Sequence, residues 1–185
     1  MSLYRRFVRD GIVAVSLLLV ATGCVPISGI PGLGDNVQSI PLQEVGKSVK
    51  SRLPIVRKAS FGTVKIVGIG MEAGSKPSRL EIPVRFVLTS YEIPEGIEGM
   101  AVYEGGLRYS PEDHGLYLDA LKPRRLVFGN SSLEEYVSPG AKRGIAKVIA
   151  SELAAKPIKS MPTTFQATKV KDFNLEKGIL SITFQ

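Results

Sequence analysis

The chain has 185 residues and carries 24 Lys+Arg against 17 Asp+Glu, a formal charge of +7. With 44% hydrophobic and 22% charged residues it is neither disordered nor collagen-like, and its length suits one domain with an appendage. A single Cys excludes an internal disulfide framework, a CxxC redox pair and a cysteine zinc cage, and a single His excludes a multi-histidine metal site within one chain.

The first segment reads as an export signal. Arg5, Arg6 and Arg9 form a basic start, Ile12–Val15 and Leu17–Val20 an apolar core, and Ala21, Thr22 and Gly23 a small-residue cleavage region. As a helix the apolar stretch from Gly11 to Thr22 would measure ~18 Å, short of a ~30 Å hydrocarbon core, so it does not read as a membrane span. Ala21-Thr22-Gly23-Cys24 resembles the bacterial lipobox, where the thiol is acylated and the chain is cut just before it. The competing reading is an ordinary signal with an incidental thiol, but exported proteins rarely carry an unpaired exposed Cys. Cys24 is the expected lipidation site. Each buried acyl CH₂ is worth ~0.8 kcal/mol, so several chains on one residue hold a protein firmly to a bilayer. By resemblance to known lipoproteins, Val25 is not the Asp that retains many of them at the inner membrane, which points to the outer membrane facing the periplasm. Removing residues 1–23 takes away three Arg and one Asp and lowers the charge from +7 to +5.

Pro26, Gly29, Pro31, Gly32 and Gly34 make residues 24–40 a lipidated Cys with a tether, its Gly/Pro-rich part reaching at most ~40 Å. Residues 41–185 then form one domain. Leu42, Val45, Val49 and Leu53 mark a short helix that Pro54 ends. Strands are expected at Val64–Met71, at Leu80–Thr89, at Met100–Tyr109 and at Leu116–Phe128, with a turn over Ser110–Gly115. Pro83 removes a ladder donor and predicts an edge or a bulge for its strand. Ser131 with Glu134, and Ser132 with Glu135, have capping-box spacing, and Ser138-Pro139 opens a longer helix whose stripe is Ala141, Ile145, Val148, Ile149 and Leu153. Two strands follow, near Thr164–Val170 and Ile179–Phe184, joined by a turn over Asn174–Gly178. The expected fold is α+β, with about six antiparallel strands packed on a long helix and a shorter N-terminal one.

No motif supports catalysis. Gly68-Ile69-Gly70-Met71-Glu72-Ala73 fits GxGxxA, but a turn follows it where a dinucleotide site needs a helix. Gly46-Lys47-Ser48 looks like the end of a P-loop whose first glycine would fall on Pro41. Asp113-His114 lacks any nucleophile spacing and reads as a polar turn tip. Glu112 and Asp113 are adjacent, unlike a glycosidase acid pair. The basic groups Lys122, Arg124, Arg125 and Lys142, Arg143, Lys147 read as solvated faces before they read as lipid-headgroup contacts, and the modest charge and the compartment argue against nucleic acid. No enzyme activity, cofactor or metal is expected. The remaining feature is the apolar inner face: Phe86, Leu88, Leu116, Leu118, Ile145, Ile149 and Leu153 would line the space between sheet and long helix, as a packed core or as a cleft for an apolar ligand.

Gly115-Leu116-Tyr117-Leu118, Lys156-Pro157-Ile158, Val170-Lys171-Asp172-Phe173 and Gly178-Ile179-Leu180-Ser181-Ile182 together resemble the YceB-like bacterial lipoproteins, over roughly residues 40–185. That resemblance implies an outer-membrane lipoprotein with a curved antiparallel sheet around a long helix, similar to half of a tubular lipid-binding fold. It supplies no catalytic residues. Two functions follow as expectations. One is a lipid-anchored binder or carrier of a lipid-like ligand. The other is a non-enzymatic envelope interaction module with a closed core and a protein partner that the sequence does not identify.

Overall fold

The structure, a computed structural model, describes residues 37–76, 78–161 and 170–184. The chain divides into Met1–Gly32 and Leu33–Gln185, and every described residue belongs to the second part. The signal, Cys24 and most of the tether lie outside the described residues, as does most of the strand expected at 164–170. In chain order the elements are β1 (Val37–Pro41), α1 (Leu42–Lys50), β2 (Ile55–Ala59), β3 (Gly62–Ile69), β4 (Glu72–Ala73), β5 (Leu80–Thr89), β6 (Ile97–Ser110) and β7 (Gly115–Phe128). They continue with α2 (Ser131–Glu134), α3 (Pro139–Ala154), β8 (Lys159–Ser160), β9 (Val170–Glu176) and β10 (Ile179–Phe184).

The α+β expectation is overturned. Strands hold 53% of the described residues, in ten strands and two antiparallel sheets, and the three helices are short. A seven-stranded sheet runs β2-β3-β5-β6-β7-β8, with β4 also paired to β5, and a three-stranded sheet runs β1-β10-β9. Among the described residues no long helix packs against a six-stranded sheet. The extra strands have physical reasons for escaping a periodicity reading. β1 and β2 are five residues each, and β2 exposes three successive residues, so neither shows alternation. β4 and β8 are two-residue pairings that only tertiary neighbours create. β1 also occupies residues read as the end of the tether, because Val37–Pro41 finds its partner in Ile179–Thr183.

Where hydrophobic alternation is strong, it decides the strand. Leu80, Ile82, Val84, Phe86 and Leu88 are buried on one face of β5, and the residues between them face outward. Pro83 does not put this strand at an edge: β5 is interior, between β3 and β6. β3 pairs with β5 down to Val84 and β4 resumes at Glu81, so Pro83 falls in the gap where no ladder donor is needed. Its carbonyl still accepts from Gly70 N at 2.8 Å. The β9–β10 turn is shorter than the expected Asn174–Gly178. Asn174 stays in the strand opposite Ser181, and the turn is Lys177-Gly178, both at positive φ (51° and 76°), the conformation a two-residue hairpin loop favours. Ser138 caps α3 as expected, its Oγ accepting from Ala141 N at 3.1 Å, whereas Asn130 rather than a serine caps α2.

One apolar cluster fills the space between the elements. It joins Val45 and Val49 of α1, Ile145, Ile149 and Leu153 of α3, the inner face of the seven-stranded sheet, and Leu180, Ile182 and Phe184 of the small sheet. Phe86 and Phe128 meet edge-to-face at 5.8 Å beside Gly99, where any side chain would overlap the Phe86 ring. Tyr109 and Phe184 meet the same way at 6.2 Å and tie the two sheets together. Tyr103 OH donates to Ala146 O of α3 at 2.9 Å, and burial pushes its phenol well above the ordinary range.

Candidate functional site

Three connections converge at one end of the seven-stranded sheet. The β2–β3 turn brings Ser60 and Phe61, the β5–β6 loop brings Ser90 to Ile93, and the α2–α3 junction brings Tyr136 to Ser138. They enclose a pocket of about 450 Å³, within the ~300–1,000 Å³ typical of ligand sites.

Local bonding sets its two zones. Ser90 N donates to Ile93 O (3.2 Å), Ile93 N to Ser90 Oγ (3.2 Å) and Gly96 N to Ile93 O (3.1 Å), so the loop folds tightly. That turns Ile93 inward, where it is buried, and leaves Tyr91 97% exposed. Ile93, Leu88 and Val137 make a buried apolar floor, and Phe61 forms a wall by packing its ring on Gly144 of α3. Tyr91, Tyr136, Ser60, Ser90 and Ser138 supply a hydroxyl-bearing rim. Glu92 is the one charged residue in the lining, and Ser90 Oγ donates to its Oε2 at 3.1 Å. The lining holds no His or Lys. The arrangement can take an apolar group on the floor and an uncharged polar group at the rim. Nothing in it can relay a proton to a serine through an imidazole.

All seven residues singled out from the sequence are buried in the shared core. Leu88 also reaches the pocket floor. The Phe86 position also borders a smaller groove of about 250 Å³ on the outer face of the sheet. Leu116 and Leu118 sit on β7 and Ile145, Ile149 and Leu153 on α3, inside the same cluster. Sequence reasoning missed Ile93, Val137, Tyr91 and Tyr136. The available signal was two aromatics in segments without periodicity. His114 lies in the β6–β7 turn, its Nδ1 3.4 Å from Tyr109 OH. Asp113 instead accepts hydrogen bonds from Tyr117 OH and Gly115 N, and these hold its carboxyl below the ordinary value. The flagged basic groups are partly paired: Arg124 binds Glu104 and Lys142 binds Glu134. Among the described residues no helix is long and apolar enough to cross a membrane, and no cluster of acidic, His or Cys side chains is arranged to hold a metal.

No protein-family model and no curated protein matches the chain. Among solved structures it is similar to the crystal structure of lipopolysaccharide binding protein, at 11% identity and a TM-score of 0.34 over 80% of this chain. The match spans 40% of that protein's length.

Proposed function

We propose that this protein is a non-enzymatic bacterial envelope lipoprotein of the YceB-like kind, held by Cys24 at the outer membrane and facing the periplasm, that binds a lipid-like amphiphile at the end of its large sheet. The observation that carries the ligand reading is the division of the pocket into a buried Leu88–Ile93–Val137 floor and a rim of tyrosine and serine hydroxyls. An acyl group gains about 25 cal/mol for each Å² of its own apolar surface that leaves water against the half-buried Phe61 and Ala141 above that floor, while the rim hydroxyls keep a polar head hydrogen-bonded. The anchor reading is supported by the basic start, the apolar run and the lone Cys at the end of Ala21-Thr22-Gly23.

Ala141 lines the pocket from the first turn of α3 and tests the site. Native mass spectrometry of the gently extracted protein should show a lipid-sized adduct, and Ala141→Trp, which fills the pocket, should lose it. An adduct retained at wild-type occupancy in Ala141→Trp would refute the pocket. A clean apo mass in both proteins would favour the interaction module.

A further inference from the structure

The outer face of the seven-stranded sheet carries a second pattern. Residues paired across antiparallel strands point to the same side. Ile55, Ile66 and Phe86 are successive partners directed into the core. The next row, Val56, Lys65 and Val87, therefore faces outward, as does the row of Lys58, Thr63 and Thr89. A third outward row is Gly68, Arg85 and Met100, and Val67 bulges out beside it at the register shift between Ile66 and Gly68. Val56 and Val67 are 47% and 38% exposed, two of the large hydrophobics that the described surface leaves in water. Gly68 has no side chain, so Arg85 lies flat across it: a Cβ there would sit 2.8 Å from Arg85 Nε. Lys50, at the end of α1, joins Leu53, Val67, Pro83, Arg85 and Met100 around a groove of about 420 Å³ that no carboxylate lines.

Among the described residues the cations on this face lack carboxylate partners, and they surround exposed apolar side chains. The ion pairs among the described residues are Arg57–Glu152, Arg124–Glu104, Lys142–Glu134 and Lys159–Glu44. None involves Lys50, Lys58, Lys65 or Arg85. The acid nearest to them in register is Glu98, opposite Val87. Unpaired cations around exposed valines are complementary to a surface with anionic groups outside and hydrocarbon beneath. Long basic side chains keep their charge at the headgroups while their stems and the valines lie deeper.

We propose that the outer face of β2, β3 and β5 docks on the anionic phospholipid surface of the bilayer, with Lys50, Lys58, Lys65 and Arg85 meeting headgroups and Val56 and Val67 entering the interfacial layer. The proposal rests on the lipid-anchored reading, which places that bilayer within reach.

The test uses the full anchored protein bearing Val67→Cys. The chain has one Cys of its own, which the anchor blocks, so a polarity-sensitive dye labels position 67 alone. The protein is reconstituted in phosphatidylcholine vesicles with and without phosphatidylglycerol, and flotation and dye emission are both read. Docking gives a blue shift that appears only with phosphatidylglycerol, is reversed by salt and is lost in Lys58→Glu/Lys65→Glu. Flotation with both vesicle types but no such shift overturns docking and leaves the anchor intact. Flotation only with phosphatidylglycerol refutes the anchor, and the same shift in Val67→Cys/Cys24→Ser, where position 67 alone can be labelled, then supports docking. Flotation with neither refutes both.

Discussion

Gly46 and Gly144 both sit inside helices, and they differ in what stands where a side chain would go. Around Gly46 of α1 nothing lies within 4 Å of an added Cβ. Glycine there only adds disorder to the unfolded chain, so Gly46→Ala should raise stability by about 0.5–1 kcal/mol. At Gly144 of α3 an added Cβ would overlap the Phe61 ring, so Gly144→Ala should lower stability by about 1–3 kcal/mol and loosen the pocket wall. Urea unfolding midpoints read both. Two shifts of the same sign would contradict the packing of Phe61 on α3. The same contact explains why Phe61, at the tip of a two-residue turn, is half-buried and not solvent-exposed.

Between elements, the β6–β7 pairing contains a cross-strand ion pair, Arg124–Glu104. Arg124 Nε donates to Glu104 Oε2 at 2.9 Å, and this hydrogen bond, with the fields of Arg124, Lys76 and Arg79, holds the Glu104 carboxyl below its ordinary 4.5. A carboxyl depressed in the folded state adds stability above its unfolded pKa, and that contribution disappears as pH falls through the folded value. Thermal unfolding of wild type and Glu104→Gln should therefore differ at neutral pH and converge in acid. A gap that stays constant down to low pH would show that charge is not its source. These elements also show what local sequence can and cannot specify. The Leu80–Leu88 alternation, the Ser138-Pro139 cap and the Ile145/Ile149/Leu153 stripe were legible because each is a periodic or nearest-neighbour property. The interior place of Pro83 was not, since it depends on where β3 stops and β4 starts, and the shortening of the expected Asn174–Gly178 turn to Lys177-Gly178 depends on the pairing of β9 with β10. The pocket was legible only through Leu88. Its other floor residues come from a loop and a helix junction, whose convergence is a property of the folded chain.

At the scale of the molecule, the separation into two sheets was hidden for the same reason. Ile179–Phe184 reads as a strand from its own residues, yet nothing local says that it pairs with β1 and not with the long sheet. The anchor is the feature on which the cellular reading turns, and it has a direct measurement. Intact mass of the native protein should correspond to a chain beginning at Cys24 plus acyl groups, and Cys24→Ser should lose both the acyl mass and the membrane fraction. A native product that retains residues 1–23 with a free thiol would remove the basis for the envelope assignment.

The small sheet has β10 at its centre, and Ser39 of β1 meets Ser181 of β10 across 142 positions of sequence. As the polypeptide emerges during synthesis, Val37–Pro41 therefore has no ladder to join until almost all of the remaining body has been made. The closing step comes late by construction. Under the export proposed above, such a delay would keep an early segment unzipped during passage and defer the final lock to the far side.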